Sequence, residues 1–440
     1  MSVLKAGRYN EYTDSAVGWV GETPSHWLPT RNKDIFFERG SLSQDGNETL
    51  LTVSHITGVT RRSEKNVNMF MAETMEGYKH CKKGDLIINT MWAWMGALGT
   101  ANEDGICSPA YGVYAPKRFV PYNPRYFDYL YRTPNAISEM TRNSKGIVSS
   151  RLRLYPKDFF QIMTALPPYY EQSTIAAYLD TKTTQIDRQI DLLSQKAKQY
   201  GKLKESLVKE TVSLGLDKSV SMIDSGVEWI GEVPSHWTVK RIKEFSRIFN
   251  GATPKSNVAE NWDGVLPWVT TDDLGKLSGK FITETKRMLT EIGYASCGTT
   301  ICPVGSVVIS GRAPIGHLGI LAIDACTNQG CKTLSINHRR ASNLFIFFCL
   351  MASKSKLEAL GRGTTFIELS TKELSLFSIA LPPLKEQQDI AAFLDEKTTR
   401  IDRIVNTINN QIQKLEDLRK ALINDVVTGK IKVMSEGQAA

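Results

Sequence analysis

The chain has 440 residues, 41% of them hydrophobic and 23% charged, with a formal net charge of +8. That length exceeds what one core serves, so two domains or one duplicated domain are expected, and the composition excludes a disordered or fibrous chain. The excess of Lys and Arg suits a polyanionic partner without requiring one, and seven cysteines, an odd number, are read as free thiols rather than a disulfide framework.

The first fifteen residues, MSVLKAGRYNEYTDS, lack the apolar core of a signal peptide. The longest uninterrupted apolar run, Leu344 to Ala352, falls short of the ~20 residues that span a bilayer, so a soluble, cytoplasmic protein with no membrane contact is expected. Next, Ser15 to Pro29 reads SAVGWVGETPSHWLP, and Ser225 to Val239 reads SGVEWIGEVPSHWTV, with nine identities in fifteen positions. Leu166 to Asp187 (LPPYYEQSTIAAYLDTKTTQID) returns as Leu381 to Asp402 (LPPLKEQQDIAAFLDEKTTRID), with fifteen identities in twenty-two positions. The offsets, 210 and 215, are nearly constant, which marks a tandem duplication of one long unit rather than a solenoid.

Between these blocks lie two inserts of similar length and little common sequence. Gly84-Asp-Leu-Ile-Ile-Asn and Gly305-Ser-Val-Val-Ile-Ser both read as a turn entering a buried strand, with Gly96 and Gly316 following, so the inserts are expected to share a fold and differ in surface. After each Leu-Pro-Pro the apolar spacing becomes helical. Ile186, Ile190, Leu193, Ala197, Tyr200, Lys204 and Leu207 alternate steps of four and three, as do Ile401, Val405, Ile408, Ile412, Leu415, Arg419 and Leu422. This is a coiled-coil seam, present twice, and two matched helices are expected to pair with each other. Lys204 and Arg419 interrupt both seams at one place, where the adjacent Leu203 and Leu418 are expected to compensate. From Ile186 to Leu207 a helix rises about 32 Å at ~1.5 Å per residue, close to the roughly 34 Å of one DNA turn. Such a spacer suits two reading domains on one side of a duplex.

The expected plan is an N-terminal framework segment (1–27), a first recognition domain (28–165), a central helical spacer (166–214), a linker with the repeated framework segment (215–237), a second recognition domain (238–380), a second helical spacer (381–430) and a tail (431–440). The fold class is α+β: two globular domains separated by two long antiparallel helices, with an internal pseudo-two-fold repeat.

The repeated W-x-G-x-x-P-x-H-W and LPP-x-x-EQ-x-x-I-A-A-x-L-D segments, in this order around divergent inserts, resemble type I restriction-modification specificity subunits over nearly the whole chain. The resemblance implies a non-catalytic DNA-binding subunit in which each insert reads one half of a bipartite target in double-stranded DNA. It also implies that the helices dock two methyltransferase subunits, and that restriction subunits join through that methylase core. S-adenosylmethionine, ATP and Mg would belong to those partners, with no cofactor on this chain.

Base reading needs polar or basic side chains on loops beside rigid strands. The candidates in the first insert are Asn89, Thr90, Trp92, Trp94, Lys145, Ser149 and Arg151. In the second they are Thr270, Thr271, Ser310, Arg312, Asn328, Gln329, Arg362 and Thr364. Core or loop packing is the competing role for Trp92 and Trp94, and a turn built with Gly330 competes at Asn328. Trp19, Trp27, Trp229 and Trp237 recur in both framework blocks and are read as structural anchors or subunit contacts.

Enzymatic motifs are weak. Leu166-Pro-Pro-Tyr169 resembles an adenine-methyltransferase active-site motif, but leucine stands where a polar residue must bond the amino group, and the second copy ends in Leu384. Cys297 and Cys302, with Cys326 and Cys331, have loose zinc spacing that the first insert lacks. His55 and His317 stand alone, and no P-loop sequence occurs. A protein-binding scaffold with the same architecture, or a self-contained methyltransferase, are the alternatives.

Overall fold

The computed structural model describes residues 4–65, 74–148, 151–362 and 367–435. It resolves into two units, Met1–Leu193 with Asn410–Ala440, and Ser194–Asn409, each with its own hydrophobic core. The boundary falls inside both long helices, Tyr169–Leu214 and Leu384–Val427.

The sheets of the two inserts have corresponding orders. In unit 1 the strands run Leu98–Thr100, Leu86–Asn89, Tyr111–Pro116, Phe36–Glu38, all antiparallel. In unit 2 the order is Phe281–Ile282, Leu318–Leu321, Val307–Ser310, Cys331–Ile336, Ser246–Asn250, which is the same arrangement with one parallel edge strand added. As expected, Gly84 and Gly305 take positive φ and lead into strands buried on both faces, which explains their continuous apolar sequence. Each insert is gathered at a neck: Leu28–Arg31 pairs with Met163–Leu166, and Thr238–Arg241 with Ser378–Leu381.

The two repeated sequence blocks meet through one carboxylate in each unit. Trp27 Nε1 donates to Glu171 at 3.0 Å, joined by Tyr9 Oη at 2.8 Å and by His26. Trp237 Nε1 donates to Glu386 at 3.1 Å, and His236 Nε2 lies 2.8 Å from the same carboxylate. The adjacent glutamines are fully buried and saturated: Gln172 accepts from Asn123 N and donates to Pro121 and Pro167 carbonyls, while Gln387 accepts from Ser342 N and donates to Arg340 and Pro382. Each Glu-Gln pair thus locks a helix start onto the framework and the insert. Trp19 donates to Met163 O and Trp229 stacks on Phe377 at 4.5 Å, so all four repeated tryptophans act as anchors.

The helices run antiparallel within each unit. In unit 1 Ile175 and Leu179 share a core with Val426 and Val427, and Asp187 then meets Arg419. In unit 2 Lys204 meets Asp402, and Val208 and Val212 then share a core with Ile390 and Leu394. Of the fourteen seam positions, Ile186, Ile401 and Ile408 are buried; Ile190, Leu193, Ala197, Tyr200, Lys204, Leu207, Val405, Ile412, Leu415, Arg419 and Leu422 are half-buried, while most intervening residues are exposed. One expectation is corrected. Leu203 and Leu418 are each 53% exposed and compensate nothing. The seam breaks are instead ion pairs: Lys204 Nζ lies 2.7 Å from Asp402, and Arg419 Nε 3.0 Å from Asp187. A lysine or arginine stem packs along the seam while its head reaches a carboxylate, so no leucine is needed.

Glycine ends each helix. Gly215 (φ +75°) lies against Trp237 and Glu386, and Gly429 (φ +77°) against Pro24 and Trp27. A methyl at Gly429 would sit 2.5 Å from Pro24 Cδ. Gly201 has helical geometry with nothing within 4 Å of an added Cβ. Gly201→Ala should therefore raise unfolding free energy by about 0.5–1 kcal/mol, and Gly429→Ala should lower it by more than ~1 kcal/mol; urea denaturation of both variants gives the signs.

Burial raises the pKa of Glu171, but hydrogen bonds from Tyr9, His26 and Trp27 outweigh it and hold the carboxyl below its ordinary range. A depressed folded pKa stabilises above the unfolded pKa, and that contribution is lost as pH falls through the folded value. Glu171→Gln is expected to lower stability at pH 7 and to flatten the acid limb of the stability profile below about pH 4.3, measured by thermal unfolding across pH.

Candidate nucleic-acid interface

In both units the buried central strand ends in a loop that hydrogen-bonds to a second loop. In unit 1 residues 90–96 follow Leu86–Asn89, and Leu154 N donates to Thr90 O at 2.9 Å. Lys145 and Arg153 bridge across the base of the second loop. In unit 2 residues 311–317 follow Val307–Ser310, Leu369 N donates to Gly311 O at 2.7 Å, and Arg362 bridges Glu368. The divergent inserts therefore present the same pair of loops at the same end of the same strand.

Several sequence candidates belong to the scaffold of these loops. Asn89 is only 7% exposed and caps the turn through Oδ1 to Met91 N. Thr90, also buried, donates to Ala110 O. Ser310 is fully buried, donating to Pro314 O and accepting from His317 N. Thr270 caps helix Thr271–Lys276 in a reciprocal box with Asp273, and Thr271 abuts Gly330. Asn328 accepts from Gly330 N, the turn weighed above. These hydrogen bonds occupy the hydroxyls of Thr90, Ser310 and Thr270 and the amide oxygen of Asn89.

The outward candidates are fewer. Trp92 is 49% exposed, while Trp94 is half-buried and donates to Met91 O. Arg151 is exposed. Lys145 pairs with Asp158 at 3.0 Å, Arg312 with Glu368 at 3.0 Å, and Arg362, 82% exposed along its side chain, with Glu373 at 2.8 Å. Gln329 is exposed and bonds Thr253. Ser149 and Thr364 lie outside the described residues. Exposed ion pairs of this kind are weak and exchange readily for phosphate. The sequence reading missed the exposed Met91, Met95, Ile147, Val148 and Tyr155 on the same unit 1 loops, because an apolar residue is read from sequence as core unless the fold shows it exposed.

The cysteines are unpaired thiols. Burial pushes Cys302 and Cys326 up to about 11 and Cys331 up to about 12, which disfavours the thiolates a metal needs. Among the described residues no group of three or more metal-ligating side chains is gathered, and no helix is long and apolar enough to cross a membrane.

Residues 234–414 match the family described as Type I restriction modification DNA specificity domain. The type I restriction enzyme MjaIX specificity subunit of Methanocaldococcus jannaschii is 30% identical over 197 residues, 44% of this chain and 45% of the relative. A putative type I restriction enzyme MjaX specificity subunit of the same organism is 28% identical over 274 residues, 61% of this chain and 59% of the relative. The chain thus spans about half the length of the curated relatives it matches. A chain from a solved type I restriction-modification system superposes with a TM-score of 0.70 at 18% identity, covering 92% of this chain and 98% of that one. Fold and sequence together define a duplicated α+β protein whose residues 234–414 match a DNA specificity domain. Over these stretches the chain is similar to type I restriction-enzyme specificity subunits.

The burial pattern separates stability from binding. Ser310→Ala leaves His317 N without its acceptor and should cost about 1–3 kcal/mol, whereas Arg151→Ala should leave the urea midpoint unchanged. Equal midpoint shifts for the two variants would contradict this division.

Proposed function

We propose that this chain is the sequence-reading subunit of a type I restriction-modification complex, non-catalytic itself, with each insert reading one half of a bipartite double-stranded target. The observation that carries the reading is the repeated loop pair: one scaffold, presented twice, with different exposed side chains on it. Trp92, Lys145 and Arg151 in unit 1, and Arg312, Gln329 and Arg362 in unit 2, are the base and phosphate contacts of this reading. The antiparallel helix segments serve as spacer and as docking surface for two methyltransferase subunits, with restriction subunits joining through them. S-adenosylmethionine, ATP and Mg belong to those partners.

The test is single-molecule sequencing of genomic DNA from matched cells, with this chain present or deleted and its neighbouring methyltransferase expressed in both. Loss of one bipartite adenine-methylation motif is the expected result; an unchanged methylome with an active methyltransferase would leave the scaffold alternative in its place. Exchange of residues 28–165 for another insert should change one half-site only. In binding assays Arg151→Ala should reduce the slope of log affinity against log salt by about one, the signature of one lost phosphate contact.

A further inference from the structure

The two units present chemically different reading surfaces on matched loops. In unit 2 the described part of these loops exposes Ala313, Pro314, Arg362 and Ile367, with Arg312 half-buried and Ile315 buried. In unit 1 the corresponding loops expose Met91, Trp92, Met95, Ile147 and Val148. The backbone bond from Leu154 N to Thr90 O holds the two apolar loops together, and Trp94 Nε1 braces the first of them through Met91 O. Around this patch Arg151, Arg153 and Lys157 are exposed, and none forms an ion pair with a described residue. Exposed large apolar side chains on two hydrogen-bonded loops, with unpaired cations on and just after the second loop, are costly in water and mark a binding surface. The cations match a phosphate backbone, and the apolar side chains match the one apolar group on a base edge, the C5-methyl of thymine in the major groove.

We propose that unit 1 reads its half-site through thymine methyl groups, with Trp92, Ile147 and Val148 as the contacting residues, whereas unit 2 reads by polar and charged contacts. This rests on the DNA-reading function proposed above and adds to it the chemistry of one half-site. Ile147 and Val148 are β-branched and stiff at χ1, so they lose little rotamer freedom on contact. The half-site of unit 1 then contains thymine beyond the one opposite the methylated adenine.

The test uses the full chain with its methyltransferase subunits and duplexes carrying the target defined by methylome sequencing. Deoxyuridine replaces thymidine in one half-site at a time, deleting only the methyl group. Binding is expected to weaken about fourfold for each contacted thymine in the half-site of unit 1, and by less than about twofold in the other half-site, where each polar contact is retained. Trp92→Ala, and separately the double variant Ile147→Ser with Val148→Ser, should shrink the thymine-to-uracil difference while the circular dichroism spectrum and melting temperature stay unchanged. Specific binding that is indifferent to uracil in both half-sites, or a unit 1 half-site without further thymine, overturns the inference and leaves the specificity function standing. Absence of any sequence-specific duplex binding overturns both.

Discussion

One carboxylate in each unit, buried at Glu171 and half-buried at Glu386, sets the geometry on which everything else rests. Glu171 and Glu386 sit in the first turn of the two long helices, where the exposed backbone N–H groups favour negative charge. Glu171 is taken from water and Glu386 partly so, and each is compensated by donors from a framework segment more than 140 residues earlier. An ion buried this way tolerates little displacement, because the loss of one donor leaves its desolvation uncompensated. The helix axis, the framework and, through the neighbouring glutamine, the insert are therefore fixed together at one point. The neck strands begin and end beside it, so an insert of any internal sequence attaches to a rigid base.

The helix seam extends the same logic by repetition. Lys204 corresponds to Arg419 and Asp187 to Asp402 at the repeat offset of 215, so the two ion pairs are copies of one interaction. Self-complementary contact between equivalent surfaces is the rule in two-fold interfaces, and here duplication writes it into a single chain. Both pairs are partly exposed and add little stability. Their effect lies in alignment: a helix slipped by one turn would lose both partners and place two cations against apolar neighbours, the cost by which polar seam residues select register.

Much of this was legible in the amino acids, because duplication supplies an internal comparison. The offsets revealed the repeat, the four-three spacing revealed the seam, and Gly84 and Gly305 announced equivalent buried strands. What escaped were pairings across long separations. Asp187 and Asp402 were visible, yet only the antiparallel register shows that they answer Arg419 and Lys204 and that Leu203 and Leu418 remain outside. The polar residues ending the central strands looked like base readers, but Asn89, Thr90 and Ser310 are consumed by turning the chain, since a buried strand end has its own polar groups to satisfy. Residue type pointed to the loops that end the central strands, but not to which of their side chains face outward.

The division of the chain also bears on the order in which it folds. Unit 2 is one continuous stretch, Ser194–Asn409, whereas the core of unit 1 includes Val426, Val427 and Val433, and strand Leu4–Gly7 pairs with Lys432–Ser435. During translation the first 193 residues leave the ribosome without the segment that completes them. Unit 2, although synthesised later, has all its parts first. Completion of unit 1 therefore comes after that of unit 2, against the usual N-terminal-first order, because its core needs the end of the second long helix.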